Sequence, residues 1–230
     1  MKFAHSLLLL TSFGGIASAA SIVQTGSYSF TPTGSQTLSY NKFDSSLGTL
    51  TSVTVTTSLT KSGGSLYLDN DSATPASGTV SQTVRIDLTS GDVPLVATVG
   101  SVGSNVAAST NFSVSLAADN GGDAAGYQDD AGTDNGGQAF ADVSTSQTKT
   151  VHSVFQSSYE GTGTFDIAVE GIQSFNTSTV SGAAGSFTNS VATGEVVITY
   201  NYTAIAPIPE PASALLGGLG LIALLRRRRR

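Results

Sequence analysis

The sequence predicts an all-β protein, a single antiparallel β-sandwich or jelly roll, and three observations point there. Thr, Ser, Val and Gly dominate the middle of the chain, where apolar and polar residues alternate with the period of two that sends every second strand side chain to one face. Glycine-bearing turn signals separate these runs. No segment between 21 and 204 sustains helical apolar spacing, and no fixed-period repeat recurs, which argues against βαβ units and against a solenoid.

Taken in order, the chain opens with Met1-Lys2, an apolar run around Leu7 to Leu10, and the small residues Ala17-Ser18-Ala19-Ala20. A basic start, a short apolar centre and a small-residue site make residues 1–20 a secretory signal peptide, cut after Ala19 or Ala20 by signal peptidase. Residues 21–204 form the β domain, long enough for one real core. Within it, Val53, Val55, Thr57 and Leu59 share a strand face against Thr54, Thr56 and Ser58. The same alternation runs through Val84, Ile86 and Leu88, through Phe112, Val114 and Leu116, through Phe165, Ile167 and Val169, and through Val196, Ile198, Tyr200 and Tyr202. Lys61-Ser62-Gly63-Gly64 predicts a hairpin turn between Leu59 and Leu66. Ser90-Gly91-Asp92 and Glu160-Gly161-Thr162-Gly163 predict two further turns.

Residues 205–230 close the chain with Pro207-Ile208-Pro209-Glu210-Pro211, the uncharged run Ala212 to Leu225, and the arginines Arg226, Arg227, Arg228, Arg229 and Arg230. Pro211 suits a first helical turn. The run 212–225 predicts a transmembrane helix held by a cytoplasmic arginine stop, although its fourteen residues span roughly 21 Å against a bilayer core of about 30 Å. That shortfall fits a temporary anchor better than a permanent one.

Composition sets further bounds. Between 21 and 204 stand four basic residues, Lys42, Lys61, Arg85 and Lys149, against fifteen acids, a net charge of −11. Such a surface argues against nucleic acid and anionic headgroups as partners. There is no cysteine, so in an exported chain stability must come from packing and sheet pairing rather than disulfides. There is no tryptophan either, which lowers the odds of a glycan platform of exposed indoles.

The candidate sites are few. Asp119-Asn120-Gly121-Gly122-Asp123 and the stretch Asp129 to Gly137 place carboxylates and glycines in one loop. Asp129, Asp130, Asp134 and Asn135 have calcium-ligand chemistry but match neither the EF-hand nor the glycine-rich nonapeptide pattern. The bland reading is a solvated loop. His152, the one histidine outside the signal peptide, lies in a strand-like run from Thr150 to Val154, and no Gly-x-Ser-x-Gly elbow accompanies it. Glu160, Glu170 and Glu195 lie near strands, but nothing pairs them across a cleft. No catalytic residue is assigned, and no enzyme activity is expected.

Two resemblances add to this reading. Pro209-Glu210-Pro211-Ala212-Ser213, the apolar run and the arginine cluster together resemble the PEP-CTERM sorting signal of Gram-negative bacteria that make exopolysaccharide. The resemblance implies an exosortase as partner, with cleavage at or near Pro209, Glu210 and Pro211. Phe43-Asp44-Ser45-Ser46-Leu47-Gly48-Thr49-Leu50-Thr51-Ser52-Val53 is similar to the opening of the choice-of-anchor domains, type E in particular, which implies a β domain with no catalytic residues. On that reading Phe43 and Leu47 plug a sandwich edge and Gly48 makes a positive-φ turn. The expected protein is a non-enzymatic one, exported through the general secretion machinery, held briefly at the inner membrane, and then placed in the envelope, at the cell surface or in an exopolysaccharide matrix. The alternative is a glycan- or calcium-binding module using the loop 119–142, and the least favoured is a secreted hydrolase.

Overall fold

The computed structural model of the protein describes residues 18–31, 33–95, 104–121, 133–177, 183–205 and 211–227. Among these, nine strands run from Ala19 to Ala204: β1 (Ala19–Phe30), β2 (Gly34–Asn41), β3 (Gly48–Asn70), β4 (Ala76–Thr89), β5 (Ser104–Leu116), β6 (Asn135–Ala139), β7 (Val143–Thr150), β8 (Thr164–Asn176) and β9 (Ala183–Ala204). One sheet has the order β1-β9-β3, with β6 and β7 sharing the outer side of β3. The other has the order β2-β8-β4-β5, and the strand pairs in both are antiparallel. With β6 and β7 counted as one interrupted strand, each sheet has four strands, and every connection except β4–β5 crosses between sheets. That wrapping is a jelly roll.

All five alternating runs form strands with the expected inward faces. Val53, Val55, Thr57 and Leu59 are buried, as are Val84, Ile86, Leu88, Phe165, Ile167, Val169, Val196, Ile198 and Tyr200. Leu116 is buried, with Phe112 and Val114 packed beside it. Tyrosine hydroxyls take the place of absent disulfides as cross-sheet ties. Tyr40 on β2 donates to the Val196 carbonyl on β9 at 2.8 Å, and Tyr200 on β9 donates to the Asn41 carbonyl on β2 at 2.9 Å. Tyr28 reaches across β9 to the Ser58 carbonyl at 2.6 Å. It passes over Gly194, where a Cβ would lie 2.5 Å from its hydroxyl oxygen. Burial pushes the pKa values of all three phenols up.

Three local expectations are corrected. Lys61-Ser62-Gly63-Gly64 is not a hairpin, because β3 runs unbroken for 23 residues. The long strand β9 pairs with it on both sides of the glycines, Lys61 with Ala192 and Ser65 with Thr188, and this continuous template keeps the chain from reversing. Gly63 and Gly64, at φ 66° and 85°, kink the strand where its other neighbour changes from β7 to β6. His152 does not lie in a strand: β7 ends at Thr150, and His152 caps a 3-10 helix over Ser153–Tyr159. Phe43 is buried between Tyr200 and Tyr202 as expected, but Leu47 ends a short 3-10 helix with 44% of its surface exposed. Gly48 has φ 157°, and a Cβ there would collide with the Thr203 carbonyl.

The interior holds two apolar clusters. The larger spans Leu59, Val84, Ala108, Ala192 and the tyrosine layer; the smaller holds Leu66, Leu68, Ala76, Val80, Leu116 and Phe140. Between them the crossing strands turn polar side chains inward, within two residues of one another in register. Lys61 follows Leu59 on β3, Gln82 lies between Val80 and Val84 on β4, and Thr110 lies between Ala108 and Phe112 on β5. Gln173 precedes Phe175 on β8, and Ser190 precedes Ala192 on β9.

Candidate functional site

The tail is the sequence's clearest site, and the structure describes part of it. Pro209 and Glu210, and Arg228 to Arg230, lie outside the described residues. Pro211 opens a helix, α1 (Pro211–Arg227), whose last turn carries Arg226 and Arg227. The proline fits there because a first-turn N–H needs no partner inside the helix, and the arginines suit the negative end of the helix dipole. The expected transmembrane helix is corrected: α1 has 17 residues, about 25 Å of rise against a core of about 30 Å. Among the described residues no helix is long and apolar enough to cross a membrane. Leu219, Leu221, Ile222, Leu224 and Leu225 are all more than half exposed, an apolar surface that calls for a cover.

At the other end of the chain, Ala19 and Ala20 are the first residues of β1 and pair with Thr203 and Tyr202 of β9. Ala204 N–H donates to the Ser18 carbonyl at 2.9 Å, and Ile205 N–H donates to the Leu47 carbonyl at 3.2 Å. The expected leader junction and the start of the tail therefore leave the same end of the sandwich. Residues 1–17 lie outside the described residues.

The acidic loop is divided. Asp129 and Asp130 lie outside the described residues, whereas Asp134 is 1% exposed and Asn135 begins β6 opposite Asp69. The Asp134 carboxylate accepts from Asn120 N–H at 2.9 Å and from the Asn120 side-chain amide at 3.4 Å, while its carbonyl accepts from Asn70 N–H at 3.0 Å. It ties the two limbs of the loop to the end of β3. Among the described residues no three acidic, histidine or cysteine side chains come together as a metal site.

The remaining candidates are separated. His152 Nδ1 accepts from Val154 N–H at 3.3 Å, which commits that nitrogen to a cap. Glu170 on β8 and Glu195 on β9 are exposed beside the buried Val169 and Val196, so they point outward from opposite sheets, and Glu160 sits exposed in the loop before β8. Two carboxylates flanking one glycosidic bond do not arise from this arrangement.

A cleft that sequence reasoning missed lies at the free edges of the two sheets, where β5 faces the break between β6 and β7. It measures about 320 Å³ and is lined by Ser109, Thr110, Asn111, Phe112 and residues 138–141. Behind it Lys61 is fully buried, its Nζ donating to the Ala141 carbonyl at 3.2 Å and lying 5.4 Å from the centre of the Phe140 ring. Burial lowers the Lys61 pKa, and the nearby Asp142 carboxylate partly restores it. The one sequence signal for this region was Lys61-Ser62-Gly63-Gly64, whose glycines mark a kink rather than a reversal.

No curated protein matches the chain in sequence. Among solved structures, one of the infectious bursal disease virus Gx strain is similar at 15% identity with a TM-score of 0.19. This chain is 83% covered in that match and spans 37% of the viral chain. The empty head of turnip yellow mosaic virus is similar at 12% identity and TM-score 0.23, covering 89% of this chain and 92% of that one. The Bacillus endospore appendages, described as disulfide-linked pili, are similar at 14% identity and TM-score 0.19, covering 87% and 100%. At these scores the likenesses carry no argument about function. The profile of the PEP-CTERM protein-sorting motif matches residues 207–230, so the helix opened by Pro211 and ended by Arg226 and Arg227 belongs to a PEP-CTERM sorting motif.

Proposed function

We propose that this is an exported substrate of an exosortase, whose jelly roll serves a non-enzymatic role in the cell envelope or extracellular matrix. The observation that carries the reading is the sorting motif at 207–230, which supports export and attachment to the envelope. On this reading the general secretion machinery and signal peptidase act first, at Ala19 or Ala20. The apolar face of α1 and the arginines then hold the tail at the inner membrane until the exosortase cuts at or near Pro209-Glu210-Pro211. The non-enzymatic part is supported by the capping role of His152 and by the outward, opposed placement of Glu170 and Glu195. The resemblance of Phe43 to Val53 to choice-of-anchor domains supports the same reading, in which the exposed surface meets exopolysaccharide.

Mass spectrometry of the protein recovered from its native host tests the proposal. A new C-terminus between Pro209 and Pro211 is the expected result. A chain that still carries Arg226 to Arg230 at the cell surface would overturn it.

A further inference from the structure

The polar layer inside the jelly roll is incompletely satisfied. Ser190 and Gln173 answer one another, with the Ser190 hydroxyl 2.9 Å from Gln173 Oε1. Gln82 has no such partner: it is fully buried, and neither its Nε2 nor its Oε1 makes a hydrogen bond. Its amide fills the space left by the missing side chain of Gly64, where a Cβ would stand 2.7 Å from Nε2. Thr110 is directly opposite Gln82 on β5, and its Oγ1 is buried and unpartnered as well. A dry apolar interior disfavours such groups strongly, so their retention calls for a polar occupant within reach.

Thr110 is both a member of the layer and a wall of the cleft. The rest of its wall comes from Ser109, Asn111, Phe112 and residues 138–141, and the half-buried Phe112 ring packs 5.2 Å from the buried Phe140 ring. Among the described residues no ionisable side chain lines it. The Lys61 ammonium is turned to the Ala141 carbonyl behind Phe140, and the acidic domain repels anions. The unpartnered Thr110 hydroxyl and Gln82 amide beside the half-buried Phe112 ring suit a ligand with hydroxyls and an apolar face, and the volume lies at the small end of ligand sites.

We infer that this edge cleft binds a neutral, hydroxyl-rich ligand of monosaccharide size, whose hydroxyls pair with Thr110 and, behind it, Gln82. The site is separate from the sorting motif and independent of it.

The test is a nuclear magnetic resonance titration of the full-length chain with D-glucose, D-galactose and D-mannose in turn. The expected result is a saturable change with at least one sugar, of millimolar order, in the amides of 109–112 and 138–141. Thr110→Val keeps the shape and should weaken that binding about tenfold, the effect of one lost hydrogen bond. Gln82→Leu should do the same. D-glucuronate should bind more weakly than D-glucose. No saturable change with any sugar, changes confined to other residues, undiminished binding in Thr110→Val, or tighter binding of D-glucuronate would each overturn the inference. Thr110→Val, on the edge strand and partly exposed, keeps the test decisive if Gln82→Leu does not fold.

Discussion

Lys61 illustrates how much one residue can be misplaced by sequence pattern. Among the basic residues of 21–204, it is the one whose side chain is fully buried, within a chain otherwise rich in carboxylates. Its amine has one hydrogen bond, to the Ala141 carbonyl, the Phe140 ring beside it and the Asp142 carboxylate nearby, which together do not offset the removal of its charge from water, since burial is the larger effect on its pKa. Lys61→Met should therefore raise the unfolding free energy, by about 1 kcal/mol, as measured by chemical denaturation. Lys61→Ala should lower it, because the space is left empty. The pH dependence has a definite sign. Burial lowers the folded-state pKa, so below that value the buried charge costs stability, and stability rises as pH climbs from there toward the unfolded value of about 10.4. The Met variant should lose that rise; an unchanged profile would show that Lys61 is hydrated in the folded state.

Strands with one buried face could be read directly, because the period of two is written into β3, β4, β5, β8 and β9 by Val, Ile, Leu and Phe. The edge strands could not. β7 is Val143–Thr150, mostly polar and exposed, and β6 is Asn135–Ala139, with two glycines and no large side chain. Their pairing with β3 rests on backbone hydrogen bonds that any sequence can make and, for β7, on the hydroxyl pairs Thr56–Thr148 and Thr60–Ser144, which no periodicity announces. The sorting motif was legible because its parts are contiguous. The polar layer was not, since Lys61, Gln82, Thr110, Gln173 and Ser190 come together only through the register of two sheets. The Gly63–Gly64 kink joins the two scales and separates two substitutions. Both glycines have positive φ, so alanine at either strains the backbone by about 1 kcal/mol. Gly63 faces open space, whereas a Cβ at Gly64 meets the Gln82 amide. Gly64→Ala should thus cost more than Gly63→Ala in thermal unfolding, on the order of 2–3 kcal/mol. Equal losses would mean that Gln82 moves freely aside.

For the whole molecule, the consequence of jelly-roll closure is that both ends of the β domain leave from one place. β1 begins against the end of β9, so Ser18 and Ile205 flank the same end of the sandwich, beside Leu47. Among the described residues before α1, Ile205 is the last one bonded to the sandwich, and Pro209 is four residues farther on. Even fully extended, that stretch reaches only about 14 Å. An enzyme acting at Pro209-Glu210-Pro211 therefore works against the end formed by Ser18, Leu47 and Ile205, and a folded jelly roll crowds it. Inserting a flexible Gly-Ser segment after Ile205 should relieve the crowding and speed C-terminal processing in the native host, followed by pulse-chase and mass spectrometry. The insertion leaves Pro209 to Arg230 intact, so slower processing would mean instead that the enzyme uses that end of the sandwich as part of its recognition surface. An unchanged rate would mean that cleavage occurs before β9 docks between β1 and β3, while the tail is still free of the fold.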